Sequence, residues 1–314
     1  MKTYRFTLRP MSAFGTPLMG DTLFGQLCWA IVHRFSSEKL TALLQGYDSQ
    51  KPFMVVSNAM PAGYIPMPVL PSGLWYQKLD ADRKKLKKLA WIKADSIVSQ
   101  AVNQWQGIAF HQQEKQVISS GIEYEQLHNS INRQTQTTGE DAFAPFATSQ
   151  VRYENGTEFD LYIVLDEQRF SLSDLQLVLQ DIGQFGYGRD ASTGLGKFIL
   201  TDQPQQVDFS NSKANAYLTL ANTAPQNLGL DKSRCFYQLT TRFGRHGSLA
   251  ALDENPFKKP IILAKAGAIF TPEQWIDRSF LGNGLTSVSF SQTNAVHQGY
   301  APIISVELDF TDKE

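Results

Sequence analysis

Between residues 186 and 198 the chain reads Gly186, Tyr187, Gly188, Arg189, Asp190, Ala191, Ser192, Thr193, Gly194, Leu195, Gly196, Lys197, Phe198, concentrating four glycines, two cations and two hydroxyls in one run. Glycine lets backbone N–H groups approach an anion closely and takes up positive φ without a side-chain clash. Arg189 and Lys197 supply charge that pairs with phosphate. The run therefore has the chemistry of a loop that holds a polyanion. Its context is a helical pattern before it and a strand pattern after it. The phosphate loops of nucleotide-binding enzymes instead follow a strand and open a helix. A nucleotide cofactor is thus not expected here, nor is any other cofactor. A mobile connection between two elements is the other reading of so many glycines.

The elements that must position this loop are legible on either side. Residues 2–9 alternate, with Tyr4, Phe6 and Leu8 on one side and Arg5, Thr7 and Arg9 on a basic outward side, as in a half-buried strand. After the loop around Phe14, Gly15 and Gly20, Asp21 is placed to cap a helix carrying Leu23, Phe24, Leu27, Cys28, Ile31 and Phe35. A short helix is predicted near residues 38–45 and an apolar run at 53–56. The segment Tyr64 to Pro71 is too rich in proline for a central strand and reads as an extended edge. Strand character returns at 157–165. Ser171 and Asp174 then open a helix bearing Leu175, Val178, Leu179 and Ile182, which runs into the glycine loop and the strand Lys197 to Leu200.

Between these halves lies an insertion, about 74–150. RKKLKKL at 83–89, with Trp91, Ile92, Ile97, Val98 and Val102 after it, looks partly helical, and residues 111–150 are polar and poor in large apolar side chains. The insertion is expected to project from the domain. Without it, the order is strand, helix, strands, strand, helix, glycine loop, strand, which suits a βαββαβ unit. After a linker at 202–213, strand patterns dominate at 217–220, 236–242, 260–264 and 303–310, and helix signal is sparse.

Composition bounds the rest. The chain has 314 residues and a formal net charge of −1, so a nucleic-acid site must be a local concentration of Lys and Arg on one face. Its two cysteines, Cys28 and Cys235, suggest neither a disulfide framework nor a zinc site. No apolar stretch reaches the ~18 residues of a membrane span, and the opening MKTYRFTLRP lacks the apolar segment of a signal peptide. A cytoplasmic protein with no membrane partner is expected.

Several motifs, in order along nearly the whole chain, resemble one family: AFGTPLMGDTLFGQLCWAI after the opening strand, GYIPMPVLP, HNSINRQTQTTGEDAFAPF, GYGRDASTGLGKF, TRFGRH and VHQGYAP. They are similar to the RAMP superfamily of CRISPR proteins, in the group that caps the 5′ end of the guide RNA in the type III-A (Csm) complex. The resemblance implies an α+β chain of two ferredoxin-like (RRM-like) domains. The first spans 1–201 with the inserted helical part and a thumb at 111–150; the second, at 214–314, is degenerate.

It also implies a noncatalytic subunit that holds the repeat-derived 5′ tag of the crRNA, meets target RNA or DNA through the guide, and contacts the large subunit and the first backbone RAMP subunit. The expected tag site is Gly186, Gly188, Arg189, Ser192, Gly194 and Lys197, faced by Phe14, Gly15 and Gly20. Asn132 and Arg133 would reach across the guide from the thumb, and Arg242, Arg245, His246, Lys265 and His297 would complete the groove. This fits the chemistry of RNA held through sugar and phosphate.

Three other readings stay open. Related RAMP proteins cleave precursor RNA without metal, which would make His246 and His297 an acid and a base. The chain could instead be the equivalent capping subunit of a minimal DNA-targeting type I complex, with the RKKLKK helix and the Asn- and Gln-rich insertion on a duplex motif. A protein-interaction module unrelated to RNA would leave the glycine loop without a ligand.

Overall fold

A computed structural model describes residues 1–76, 82–96, 100–115, 121–247, 251 and 255–310. Ile97 and Val98 lie outside the described residues, as do 116–120 of the polar stretch. The first half runs β1 (Lys2–Pro10), α1 (Gly20–Arg34), α2 (Ser37–Leu43), β2 (Met54–Val56), β3 (Met60–Pro61), β4 (Tyr64–Pro66), α3 (Arg83–Lys87), β5 (Trp91–Lys93), α4 (Trp105–Lys115), β6 (Ile122–His128), β7 (Phe146–Arg152), β8 (Phe159–Leu165), α5 (Leu172–Phe185), β9 (Phe198–Leu200) and β10 (Gln205–Val207). The second half holds β11 (Ala216–Thr219), β12 (Leu239–Arg242), β13 (Ile261–Ala264), β14 (Ile269–Phe270), β15 (Phe280–Leu285) and β16 (His297–Val306). The fold is α+β with antiparallel sheets.

The first sheet has the order β10-β1-β8-β2, with β9 also on β1 and β3 also on β8. Helices α1 and α5 bury Phe24, Leu27, Val178 and Leu179 against Phe6, Leu8 and Ile163. Each helix begins where side-chain or backbone groups take up its free N–H donors. Ser171 Oγ accepts the Asp174 N–H at 3.1 Å, and Asn58 Oδ1 accepts the Gly20 N–H at 2.9 Å. Asp21 is therefore not the cap that its sequence position suggests, since α1 starts one residue earlier.

Three expectations change. The outward side of β1 is not a free basic surface. Thr7 donates to Asp160 at 3.0 Å, Arg9 pairs with Glu158 at 2.6 Å, and Arg5 lies 3.9 Å from the Asp160 carboxylate. The supposed linker contains β10, which extends the first sheet with Thr3 opposite Val207. And Trp91 with Ile92 forms not a helix but β5, paired with the proline-rich β4.

The insertion holds the largest difference. The second sheet, β14-β11-β16-β15, has no α-helix of its own among the described residues. Val102, in the turn just before α4, and Trp105 and Ala109 of α4 pack in one core with Leu218, Leu220, Ile304 and Val306. The amide of Asn103 fastens this layer, donating to the carbonyls of Leu74 at 2.6 Å and Asp309 at 2.9 Å. A sheet whose apolar face lacks its own helices must borrow a cover, and the insertion supplies it. Within the described part of the insertion, the β6–β7 hairpin is a separate two-stranded ribbon with mostly exposed side chains.

β16 joins the two sheets. Gln298 closes the edge of β2 with its side chain, accepting from the Val56 N–H and donating to the Val56 carbonyl, both at 2.8 Å. Among the described residues no helix is long and apolar enough to cross a membrane, and no group of three or more His, Cys, Asp or Glu side chains is placed to hold a metal.

Candidate nucleic-acid interface

The glycine run is a fixed turn. Gly186, Gly188, Gly194 and Gly196 all have positive φ, and so does Asp190. At Gly196 a Cβ would lie 2.0 Å from the Tyr187 carbonyl oxygen, and at Gly188 it would lie 2.6 Å from Thr16 Cβ, so both positions exclude larger residues by contact as well as by conformation. The turn closes on itself through the Tyr187 N–H to the Gly196 carbonyl at 2.9 Å. It is stitched to the segment after β1 by the N–H groups of Gly196 to Ala13 O at 2.8 Å, Lys197 to Ser12 Oγ at 2.9 Å and Arg189 to Thr16 Oγ1 at 2.9 Å. Many of the donors that the sequence offers to a phosphate thus hold the turn. The side chains of Ser192 and Lys197 remain exposed on its rim.

Arg189 also faces inward along the surface. Its Nη2 donates to the Ser149 carbonyl on β7, and its Nε lies 3.2 Å from Asp190 Oδ2. Beside it, Phe14 and Val151 exchange backbone hydrogen bonds of 2.8 and 2.9 Å. The Phe14 ring is 1% exposed, packed edge-on to Tyr153 at 5.8 Å and tilted to Tyr187 at 6.3 Å. A ring so placed packs the base of the hairpin and is not offered to a nucleobase. Gly15 lies against Arg189, where a Cβ would meet the Arg189 carbonyl at 2.9 Å. The glycine turn therefore roots the β6–β7 hairpin. At the far end Asn132 folds the tip, its Oδ1 accepting the Gln134 N–H at 2.9 Å, and Arg133 is exposed.

The N-terminus of α1 forms the adjoining wall. Gly20 is buried, and a Cβ there would stand 2.3 Å from the Val56 carbonyl. Tyr187 reaches across the turn and donates to the Pro17 carbonyl at 2.7 Å. Behind it the Asp21 carboxylate takes Arg242 in a two-point pair, Nε to Oδ2 at 2.6 Å and Nη2 to Oδ1 at 3.0 Å, while His297 Nε2 lies 3.5 Å from Oδ2. Burial alone would raise the Asp21 pKa; His297 and Arg242 outweigh it and hold the carboxyl at about 2. Lys258 approaches the same helix, where burial lowers its pKa against the pull of Cys28 and Asp21. Burial pushes the Cys28 thiol up to about 12.

The expected residues thus divide. Phe14, Gly15, Gly20, Gly186, Gly188, Arg189, Gly194 and Lys197 come together around the turn, and Arg242 and His297 meet Asp21 behind it. Within that group Phe14, Gly20, Gly186 and His297 are buried, and Arg242 is engaged by Asp21. His246 is buried too, its Nε2 2.7 Å from Ser289 Oγ. Arg245 and Lys265 are exposed near the ends of β12 and β13, and Asn132 and Arg133 sit apart at the hairpin tip. Sequence reasoning missed Ser12, Thr16 and Tyr187, which clamp the turn, and Ser149, which receives Arg189. Only Tyr187, set between two glycines of the motif, carried a signal.

No protein-family model matches this sequence, and no curated protein matches it. Solved structures do match in fold. A chain in a Csm1–Csm4 cassette in complex with pppApA is similar at a TM-score of 0.57 and 14% identity, covering 99% of this chain and 100% of that one. A chain in the Csm3–Csm4 subcomplex of the type III-A CRISPR-Cas interference complex is similar at a TM-score of 0.58 and 13% identity, covering 98% and 100%.

Proposed function

From the Csm4-like RAMP fold of this chain, we propose that it is a noncatalytic crRNA-binding subunit of a CRISPR effector complex. It holds the repeat-derived 5′ tag of the guide at the glycine turn and bridges the large subunit and the first backbone subunit. The order of the first sheet, together with α1 and α5 on one face, supports a ferredoxin-like first domain.

One observation carries the reading. The turn that presents Ser192 and Lys197 also fixes the root of the β6–β7 hairpin through Arg189 and Phe14. A polyanion seated at the rim and a ribbon reaching along the guide are then positioned by the same rigid element. Phosphate contacts set register while the ribbon acts farther along the strand. A noncatalytic role is supported by His246 and His297, the histidines beside cations, which are turned inward onto Ser289 and Asp21. An acid and base for RNA cleavage must instead reach the 2′-hydroxyl and the leaving oxygen.

The test compares a guide RNA carrying its repeat-derived 5′ leader with the same guide lacking it, both labelled, in binding titrations with the full chain. Tighter binding of the leader-bearing guide, without cutting, is the expected result. Equal affinity overturns the tag assignment, and cleavage that disappears in His246→Ala or His297→Ala overturns the noncatalytic one.

A further inference from the structure

The ribbon of the second half has two unlike faces. From residue 239 to 246 side chains alternate strictly: Thr241, Phe243 and Arg245 are exposed, whereas Arg242 and His246 turn inward to Asp21 and Ser289. The neighbouring segment keeps the same sense. Phe257, opposite Arg245, points outward, and Lys258 points in toward α1. A third segment bridges Lys258 through Ser289 and adds Phe290 to the outer side.

Three phenylalanine rings from three adjacent segments therefore share one open face, Phe243 at 76%, Phe257 at 58% and Phe290 at 62% exposure, with Ile262 beside them. Two of the rings have a cation in place: the Arg245 guanidinium is 5.8 Å from the Phe257 centroid, and the Lys259 ammonium is 5.6 Å from that of Phe290. Neither 237–247 nor 255–265 contains an Asp or Glu. Of the five cations in these stretches, Arg242 and Lys258 face inward, which leaves Arg245, Lys259 and Lys265; Asp253 and Glu254 lie between the two stretches in sequence.

We propose that this outer face is a second RNA site, a stacking platform for single-stranded RNA separate from the glycine turn. Phe257 stands opposite Arg245 and Lys258 opposite Ser289, so the rings step across neighbouring segments of one face, as successive bases do on a stacking platform. Every base offers a π-face to a ring whatever its sequence, and a cation beside the ring reaches the phosphate that joins two bases. Paired bases are already stacked and gain little there, which selects single strands. An apolar protein surface is the competing occupant. The charge favours RNA, because a cation accompanies two of the rings.

The experiment titrates the full chain, at fixed salt, into a fluorescein-labelled uridine oligoribonucleotide and follows anisotropy. The doubly substituted Phe243→Ala, Phe290→Ala chain is expected to bind about tenfold more weakly or worse, with its thermal melt unchanged because both rings are exposed. Phe243→Trp is expected to bind as the parent does. Crosslinks from a 4-thiouridine version of the oligonucleotide should map to 239–247, 255–265 or Phe290. Unchanged affinity in the double variant, or crosslinks confined to 186–197, overturns the platform while leaving the tag assignment standing. So does a double variant that loses only its association with a purified protein subunit of the complex.

Discussion

Arg242 and Asp21 stand 221 positions apart in sequence, yet Nε of one lies 2.6 Å from Oδ2 of the other. A second contact of 3.0 Å from Nη2 to Oδ1 makes the pair two-pointed, and Thr22 Oγ1 accepts from the same guanidinium nitrogen at 2.9 Å. Planar groups matched in this way fix orientation as well as distance. The ribbon of the second half is thereby held against the first turn of the first helix.

Replacing Asp21 with Asn should therefore cost on the order of 3 kcal/mol in urea unfolding at neutral pH, because it leaves Arg242 partly buried without its partner. A loss below roughly 1 kcal/mol would mean that the pair contributes little.

The same carboxyl sets a pH window. Its pKa falls from 3.8 to about 2 on folding, so the unfolded chain takes up the proton first as pH drops. The stability it contributes, about 2 kcal/mol, is complete well above pH ~4 and is lost as pH falls through ~2. Stability measured against pH for the parent and Asp21→Asn should show a wide gap at neutral pH that narrows across this interval. A gap that stays constant down to pH ~2 would rule out the linkage.

Lys197→Ala and Arg189→Ala should separate two roles that look alike in sequence. Lys197 is exposed at the rim, so its removal should weaken guide binding and reduce the slope of log K against log salt by about 0.7. Arg189 is occupied by Ser149 and Asp190, so its removal should leave that slope nearly unchanged. Faster hydrogen exchange at 121–128 and 146–152 is the expected signature of the loosened hairpin.

Gly196→Ala and Gly194→Ala test the turn itself. Both positions have positive φ, but a Cβ at Gly194 meets nothing within 4 Å, whereas one at Gly196 meets the Tyr187 carbonyl at 2.0 Å. Gly194→Ala should cost about 1 kcal/mol and Gly196→Ala about 3 kcal/mol or more, since the latter adds a displaced backbone to an unfavourable conformation. Equal melting temperatures for the two variants would contradict the close packing.

Features written in a local pattern were legible. The alternation of Tyr4, Phe6 and Leu8 marked β1, and Ser171 with Asp174 marked the start of α5. Features decided by a distant partner were not. Asp21 has the composition of a helix cap, and only the arrival of Arg242 gives it another task. Arg5 and Arg9 look like a free basic stripe until β8 and its flank bring Asp160 and Glu158 beside them. Within the site, the glycine turn was visible as a composition. Its donors were readable as phosphate ligands because Ser12 and Thr16, which accept them, carry no mark of their own.

The position of Trp105 bears on how the chain can be made. Synthesis delivers this indole and its helix before β11 and β16, the strands they cover, have left the ribosome. Until those strands arrive, an apolar side chain that ends fully enclosed stands open to water or to a chaperone. Cutting the gene after residue 207 would make that interval permanent. Each product would then keep a raw apolar surface, and clumping is the expected fate of both fragments.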